Sequence, residues 1–288
     1  MEWIERLNSA VNYIEEHLVD EIDYKQVAKI ACCSTFHFQR MFSYIAEVPV
    51  SEYIRRRRMT MAAVDLQSTG EKVIDIALKY GYDSPTAFNR AFKSIHGITP
   101  SQAKLEGVTV KAFPPISFKI SIKGDVEMNY RIEKKDAFRI VGVVETLHKD
   151  LEQNFEVVPK MWQKIAMEGT IGKLVSMMDG EVPGVLGVSA CNEEENWKYF
   201  IAVASNQPVD GQLEAYIVPA ATWAIFYGEG TMPHSIQELE KRIVTEWLPT
   251  SGYEYGNAPD IEVYINADPQ NAKFEVWIPV VKKIRDKI

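Results

Sequence analysis

Two sets of residues in this chain have types and spacing suited to recognition. Gln39-Arg40 and Asn89-Arg90 stand at matching places in two copies of one pattern, and Glu262 with Tyr264 and Glu275 with Trp277 alternate along two apolar stretches near the C-terminus. Gln and Asn pair with adenine, and Arg with guanine, through two parallel hydrogen bonds in a major groove, so the first set suits reading of DNA. A carboxylate beside aromatic faces attracts an organic cation by charge and by cation–π attraction, so the second set suits capture of a small positive ligand. The plainer alternative for the acids is that Glu262 and Glu275 are the water-facing members of amphipathic strands. Other chemistry is not supported. His17, His37, His96, His148 and His234 are scattered with no pair at ligand spacing, so no metal site is expected. Gly228-Glu229-Gly230 reads as a turn rather than a phosphate loop, and no nucleophile sits in a recognisable elbow. No catalytic residue and no cofactor is therefore assigned.

The DNA-reading residues need helices to present them, and the repeat supplies these. Val27-Ala28-Lys29-Ile30, a turn, and Ser34 to Phe42 match Ile76-Ala77-Leu78-Lys79, a turn through Gly81, and Ser84 to Phe92. A self-similar offset of about 50 residues marks two copies of one supersecondary unit. Ser34 and either Asp83 or Ser84 are good N-caps, and Pro85 stands where a first-turn proline is tolerated. Phe38, Met41, Phe42 and Ile45 recur at helical spacing, as do Phe88, Ala91, Phe92 and Ile95; those stripes are buried. The opposite faces carry Thr35, His37, Gln39 and Arg40 in one copy and Thr86, Asn89 and Arg90 in the other. Each copy has the helix-turn-helix layout. A connecting helix from Val50 to Gln67, about 27 Å long at about 1.5 Å per residue, could set two recognition helices in successive grooves about 34 Å apart. Arg55-Arg56-Arg57-Arg58 lies on this connector; successive helical residues diverge, so only some of the four face DNA and the rest are solvated or paired with acids.

The net charge of −8 is at odds with a DNA binder until the chain is divided. Tyr24 to Lys104 holds 12 basic and 6 acidic residues, whereas Val108 to Ile288 holds 19 basic and 26 acidic ones. A basic, phosphate-facing module is joined to an acidic one. Two domains are expected in 288 residues, 46% of them hydrophobic. No apolar run approaches a membrane span, no signal peptide is visible, and three cysteines without metal-like spacing suit a reducing cytoplasm. Cys32 and Cys33 read as small buried turn residues.

Trp3 to Leu18 reads as a helix, and Gly107 marks a domain edge. Residues 108–127 read as a linker, with Ile116 to Ile122 as a strand or structured linker. Beyond it, two strand-helix-strand-strand units are expected. The first comprises Phe138–Glu145, Phe155–Met167, Gly184–Ala190 and Tyr199–Ala204; the second comprises Trp223–Gly228, Ser235–Leu248, Ile261–Ile265 and Phe274–Val280. They can pair edge to edge into one antiparallel sheet with both helices on one face, leaving a pocket near a pseudo-twofold axis. On this reading Glu262, Glu275, Tyr264 and Trp277 face one side, Trp247 and Trp162 wall the site from the two helices, and Tyr227 lies on a strand nearby.

Residues Tyr24 to Lys104 resemble the DNA-binding domain of the AraC/XylS family of bacterial transcription regulators, and most of all its Rob branch. The runs His37 to Phe42, Tyr53 to Met59 and Asp75 to Phe92 carry that resemblance. It implies an all-α domain over residues 1–107 in which Thr35, Phe36, Gln39 and Arg40 meet DNA from the first recognition helix. Pro85, Thr86, Ala87, Asn89 and Arg90 would do so from the second. The chain departs from the branch near Pro85 and Thr86, where the branch carries glutamines; the resemblance then implies a different second half-site with the same docking mode. Residues 128–288 resemble the GyrI-like effector-binding domain through Tyr216-Ile217-Val218-Pro219, Trp247 to Tyr253, Pro259 to Tyr264 and Phe274 to Pro279. That implies an α+β fold, an effector met by a glutamate at the position of Glu262, and a regulator whose partners are duplex DNA, a small lipophilic or cationic molecule and RNA polymerase, with no membrane. Two other readings are carried forward. One is hydrolysis of small electrophiles with Glu262 as base; the other is a regulator whose second half senses a protein partner.

Overall fold

Side-chain caps set where the helices of the N-terminal half begin. In this computed structural model, which describes residues 3–119, 127–191, 196–209, 211–266 and 268–283, the chain divides into units Met1–Lys119 and Ile120–Ile288. The first unit contains α1 (Trp3–Glu16), α2 (Tyr24–Ala31), α3 (Thr35–Ala46), α4 (Val50–Ser68), α5 (Val73–Lys79), α6 (Pro85–His96) and the single turn α7 (Pro100–Ala103). Asp23 caps α2, Ser34 accepts the His37 amide at 3.2 Å to open α3, and Ser84 accepts the Ala87 amide at 3.4 Å to open α6. Each motif turns on a left-handed residue. In the second this is Gly81, at φ +80. In the first it is Cys32, at φ 57 and exposed, so the expectation of a buried turn pair fails for Cys32. Phe38 and Phe42 in one motif and Phe88 and Phe92 in the other are fully buried.

The connector α4 is buried on more sides than an amphipathic helix, with Tyr53, Ile54, Arg57, Met59, Ala62, Ala63 and Leu66 all inaccessible. All four arginines have intramolecular partners. Arg55 and Arg56 pair with Glu52, Arg57 with Glu15, and Arg58 donates to the carbonyls of Leu18 and Asp20. Arg57 is thereby buried and taken up within the domain, whereas the Arg55 side chain stays exposed beside its acid partner.

The expected linker 108–127 divides. Residues 108–119 belong to the first unit, where they run extended without strand pairing; the remainder of the expected Ile116–Ile122 strand, from 120 onward, lies outside the described residues. Part of this segment rests on His96, whose ring packs at a tilt against Phe92 with centroids 4.2 Å apart, meets the Met59 carbonyl through Nε2 at 3.0 Å and accepts the Lys111 amide through Nδ1 at 3.1 Å. That arrangement requires the neutral ring, with its proton on Nε2. Burial lowers the His96 pKa, the Met59 bond opposes the shift and the Lys111 charge adds to it. A lowered folded pKa contributes stability above the ordinary histidine range near 6.5 that is lost as pH falls through the folded value. The Lys111 amide should therefore lose hydrogen-exchange protection as the pH is taken progressively below the ordinary histidine range near 6.5. In His96→Gln, which keeps a donor and an acceptor but cannot titrate, the protection should stay flat.

The second unit is built on nine described strands. They are β1 (Tyr130–Lys135), β2 (Phe138–Thr146), β3 (Val185–Ala190), β4 (Lys198–Ala204), β5 (Glu214–Val218), β6 (Ala221–Gly230), β7 (Tyr253–Tyr255), β8 (Asp260–Tyr264) and β9 (Ala272–Lys282). The antiparallel sheet runs β1-β6-β9-β8-β3-β4-β2-β5, with β7 added to β9. The two expected strand-helix-strand-strand units are present and join edge to edge through β3 and β8. Sequence reading missed β1, β5, β7 and a short helix, Thr170–Ser176. Helices α8 (Leu151–Met167) and the helix from His234 to Arg242, which continues through a π turn at Ile243–Trp247, pack on one face: Trp162 reaches Tyr199 and Leu239 lies over Phe274 and Gly228. The other face curls on itself. Phe138 on β2 and Trp223 on β6 have four strands between them in the sheet, yet their rings are 6.4 Å apart. Ile140, Leu186, Val188, Ala202, Ile225, Ile261, Val263 and Trp277 fill that concave side.

Candidate functional site

Register decides which side chains in the second unit can act together, because directly opposed residues of antiparallel strands point to the same face. Gly187 of β3 lies opposite Glu262 of β8, and Glu262 lies opposite Val276 of β9. Glu262 and Tyr264 are therefore on the helix-covered face. Glu275 lies opposite Val263, and Trp277 opposite Ile261. Glu275 and Trp277 point to the concave face, and the expected single constellation of two carboxylates and two aromatics is corrected. Alternation within a strand is legible from sequence; a one-residue difference in register reverses which faces coincide. On its own face Glu275 pairs with Arg131 at 2.8 Å and accepts the Trp277 indole proton at 2.8 Å. Tyr227, opposite Glu275, is exposed and bonds Glu229. Trp247 shares the helix face and packs against Phe226, Tyr130 and Tyr253.

What gathers at Glu262 is a hydrogen-bonded clamp. The Tyr264 hydroxyl donates to Glu262 Oε2 at 2.7 Å and the Tyr199 hydroxyl donates to the same oxygen at 3.2 Å. Trp162 Nε1 donates to the Tyr199 hydroxyl at 3.1 Å, and its ring meets the Tyr264 ring edge-on at 4.8 Å. Burial, then the Glu262 charge, pushes both tyrosine hydroxyls well above their ordinary range, and Glu240 raises them further. Both stay protonated at neutral pH and act as donors. Tyr199 and Gly187 are buried, while Glu262, Tyr264 and Trp162 are half-buried. The arrangement is a carboxylate and two aromatic rings standing on an inaccessible floor. Of the residues expected here, Glu262, Tyr264 and Trp162 are brought together. Sequence reading missed Tyr199, the buried Glu240 and Gly187. The glycine was the available signal, since a glycine inside a strand marks close approach. A Cβ there would stand 2.3 Å from the Tyr199 hydroxyl and 2.9 Å from Glu262 Oε2.

In the first unit, α6 presents Pro85, Thr86, Ala87, Asn89 and Arg90 on an exposed face, while Phe88, Phe92 and Ile95 point inward. Along α3, Thr35 and Arg40 are half-exposed, but Phe36 and Gln39 are buried. The Arg40 guanidinium lies 5.9 Å from the centre of the Phe36 ring and 5.7 Å from that of Tyr44. Among the described residues, no helix is long and apolar enough to cross a membrane.

Comparison with known proteins agrees with this two-part organisation. Residues 27–105 match a helix-turn-helix domain model and residues 128–281 match the GyrI-like small molecule binding domain. The transcriptional regulator Rob of Salmonella typhimurium is 39% identical over 93% of this chain and 95% of its own length. The HTH-type transcriptional activator AarP of Providencia stuartii is 43% identical over 32% of this chain and 69% of its own. A crystal structure of a bacterial transcription regulation protein from Staphylococcus aureus superposes with a TM-score of 0.48 and 22% identity, covering 54% of this chain and 99% of that one. The chain belongs to the Rob-like transcription regulators of the AraC family, in which a helix-turn-helix DNA-binding domain is followed by a GyrI-like small-molecule-binding domain.

Proposed function

We propose that this regulator reads DNA with Asn89 and Arg90 of α6 and with Thr35 and Arg40 of α3, and that a lipophilic organic cation bound at Glu262 controls that reading. The observation that carries the effector half is the clamp itself: Glu262, Tyr264 and Trp162 are half-exposed on a floor in which Tyr199 orients the carboxylate. Charge supplied by Glu262 and ring faces supplied by Trp162 and Tyr264 match a cation carrying apolar groups. Both tyrosine protons occupy one oxygen of Glu262, an arrangement that suits a fixed electrostatic anchor better than a base that must accept a proton. Pro85 and Thr86 add contacts to the second half-site, and Phe36 and Gln39 add contacts to the first in any state that exposes them. Such a regulator acts in the cytoplasm, where the DNA is, and passes its signal by altered DNA engagement or by contact with RNA polymerase.

Arg90→Ala tests the reading half. Loss of one bidentate base contact costs about 1–3 kcal/mol on the specific site, about fivefold to 150-fold, and much less on unrelated duplex. Titration of both duplexes by fluorescence anisotropy at one salt concentration measures the difference. Equal loss on the two would show that Arg90 touches only phosphate.

A further inference from the structure

Residues 108–119 hold a set of contacts that reaches both motifs. Pro114-Pro115 keeps this segment extended and removes two amide donors. Four of the remaining amides are received by side chains rather than by backbone. Lys111 donates to His96 at 3.1 Å, Phe113 to Thr60 Oγ1 at 3.1 Å, Ile116 to the Tyr53 hydroxyl at 3.3 Å and Phe118 to Asn8 Oδ1 at 2.8 Å. Carbonyls are taken up in the same way: Gln67 donates to Val108, Arg57 to Phe113, and Asn8 Nδ2 to Phe118. The order of partners on α4, from Gln67 through Thr60 to Tyr53, shows that the segment runs antiparallel to the connector along most of its length. Its two ends rest on different cores. Val110 and Phe113 pack into the Phe88–Phe92 cluster of the second motif. Phe118 is buried against Phe42 of the first motif, with ring centroids 5.8 Å apart.

We propose that residues 108–119 form a strap that fixes the relative placement of the two recognition helices, and so sets the half-site spacing the protein accepts. Helix α4 alone joins the two motifs as a single rod with one contact surface for each. The strap gives a second tie, from α6 through α4 to α1 and α3, which resists twisting of one motif against the other about the rod. Asn8, Thr60 and Tyr53 are positioning residues in this scheme, because they touch the strap and not DNA.

The test uses the full chain and a duplex that the wild-type protein enriches from a random library, compared with the same duplex carrying one inserted base pair between its half-sites and with each half-site alone. Wild type should prefer the selected spacing by about tenfold or more, a difference of about 1.4 kcal/mol. Asn8→Ala combined with Thr60→Val should narrow that preference to about threefold or less, with affinity for single half-sites unchanged. Replacing the exposed Pro114 and Pro115 by glycine leaves every side-chain contact in place and only slackens the strap. It should narrow the preference equally, which separates loss of the tie from a general loss of folding. An unchanged spacing preference in both variants would overturn the strap. So would an equal fall on all duplexes, single half-sites included. If wild type binds full sites no better than single half-sites, tandem reading itself fails and the strap falls with it.

Discussion

Arg57→Ala is expected to lower the thermal midpoint of the first unit more than any substitution on the recognition faces, without altering the salt dependence of DNA binding in the protein that remains folded. Arg57 is buried and donates through Nε and Nη2 to both oxygens of Glu15, at 2.7–3.0 Å, and through Nη1 to the Phe113 carbonyl. Tyr53 adds a bond of 2.6 Å to the same carboxylate. Removing the arginine leaves Glu15 with the tyrosine as its remaining described partner in a largely dry site. Breaking one side of a buried pair costs about 3–5 kcal/mol. In a unit of this size that corresponds to a fall of more than about 10 °C, readable by differential scanning calorimetry. Each phosphate contact contributes about 0.9 to the slope of log affinity against log salt. A slope unchanged in Arg57→Ala would confirm that this arginine never meets DNA; a slope reduced by about one would show that it does. The double variant Arg57→Met, Glu15→Leu should recover much of the lost midpoint, since apolar replacement of a whole buried pair is often close to neutral.

The arginine run shows where sequence reading stops. Four consecutive arginines on a helix beside two DNA-reading motifs invite assignment to phosphate, and helical geometry alone says that they cannot all share one face. Which partners they take depends on Glu15 and Glu52, on the carbonyls of Leu18 and Asp20, and on Phe113, whose ring lies 5.2 Å from Arg56. Most of those groups are 38 to 57 residues distant in sequence, and no local pattern predicts them. The repeat, by contrast, was legible in its helices and phenylalanine stripes, because caps and apolar spacing are short-range signals. In the second unit the order of strands and helices was readable for the same reason. The missed strands β1 and β5 lie at the two edges of the sheet; β1 is largely exposed, and β5 has only five residues, of which Tyr216 and Val218 meet the core, too short a run to mark a strand. Glu262 was found through alternation within its own strand. Tyr199 and Gly187 were missed because their relation to Glu262 exists only across the β3–β8 and β3–β4 registers.

Glu262→Gln is expected to reduce affinity for an aromatic quaternary ammonium cation, a probe of the proposed ligand class, by about thirtyfold or more while leaving the fold intact. Glutamine has the same shape, and its carbonyl oxygen can still accept the protons of Tyr264 and Tyr199 that now reach Oε2 at 2.7 and 3.2 Å. Only the charge is lost. Removing one partner of a buried or half-buried charge pair costs about 2–5 kcal/mol, and each 1.4 kcal/mol is about a factor of ten. A neutral aryl compound of similar size, held only by the faces of Trp162 and Tyr264, should bind the variant and the wild type alike. That contrast separates an electrostatic anchor from a structural acid: a glutamate that merely supported Tyr199 would lower the melting temperature on substitution and weaken both ligands together. Gly187→Ala approaches the same site from below. Its methyl group would stand 2.3 Å from the hydroxyl of a fully packed tyrosine, so Tyr199 must move and its bond to Glu262 must break. The alanine variant should therefore weaken cation binding with the carboxylate still present and should cost about 1–3 kcal/mol of stability as an overpacked core. Isothermal titration of the cation and the neutral compound into wild type, Glu262→Gln and Gly187→Ala yields three patterns. Only an anchor that needs both its charge and its tyrosine support loses the cation in both variants while keeping the neutral ligand in the first.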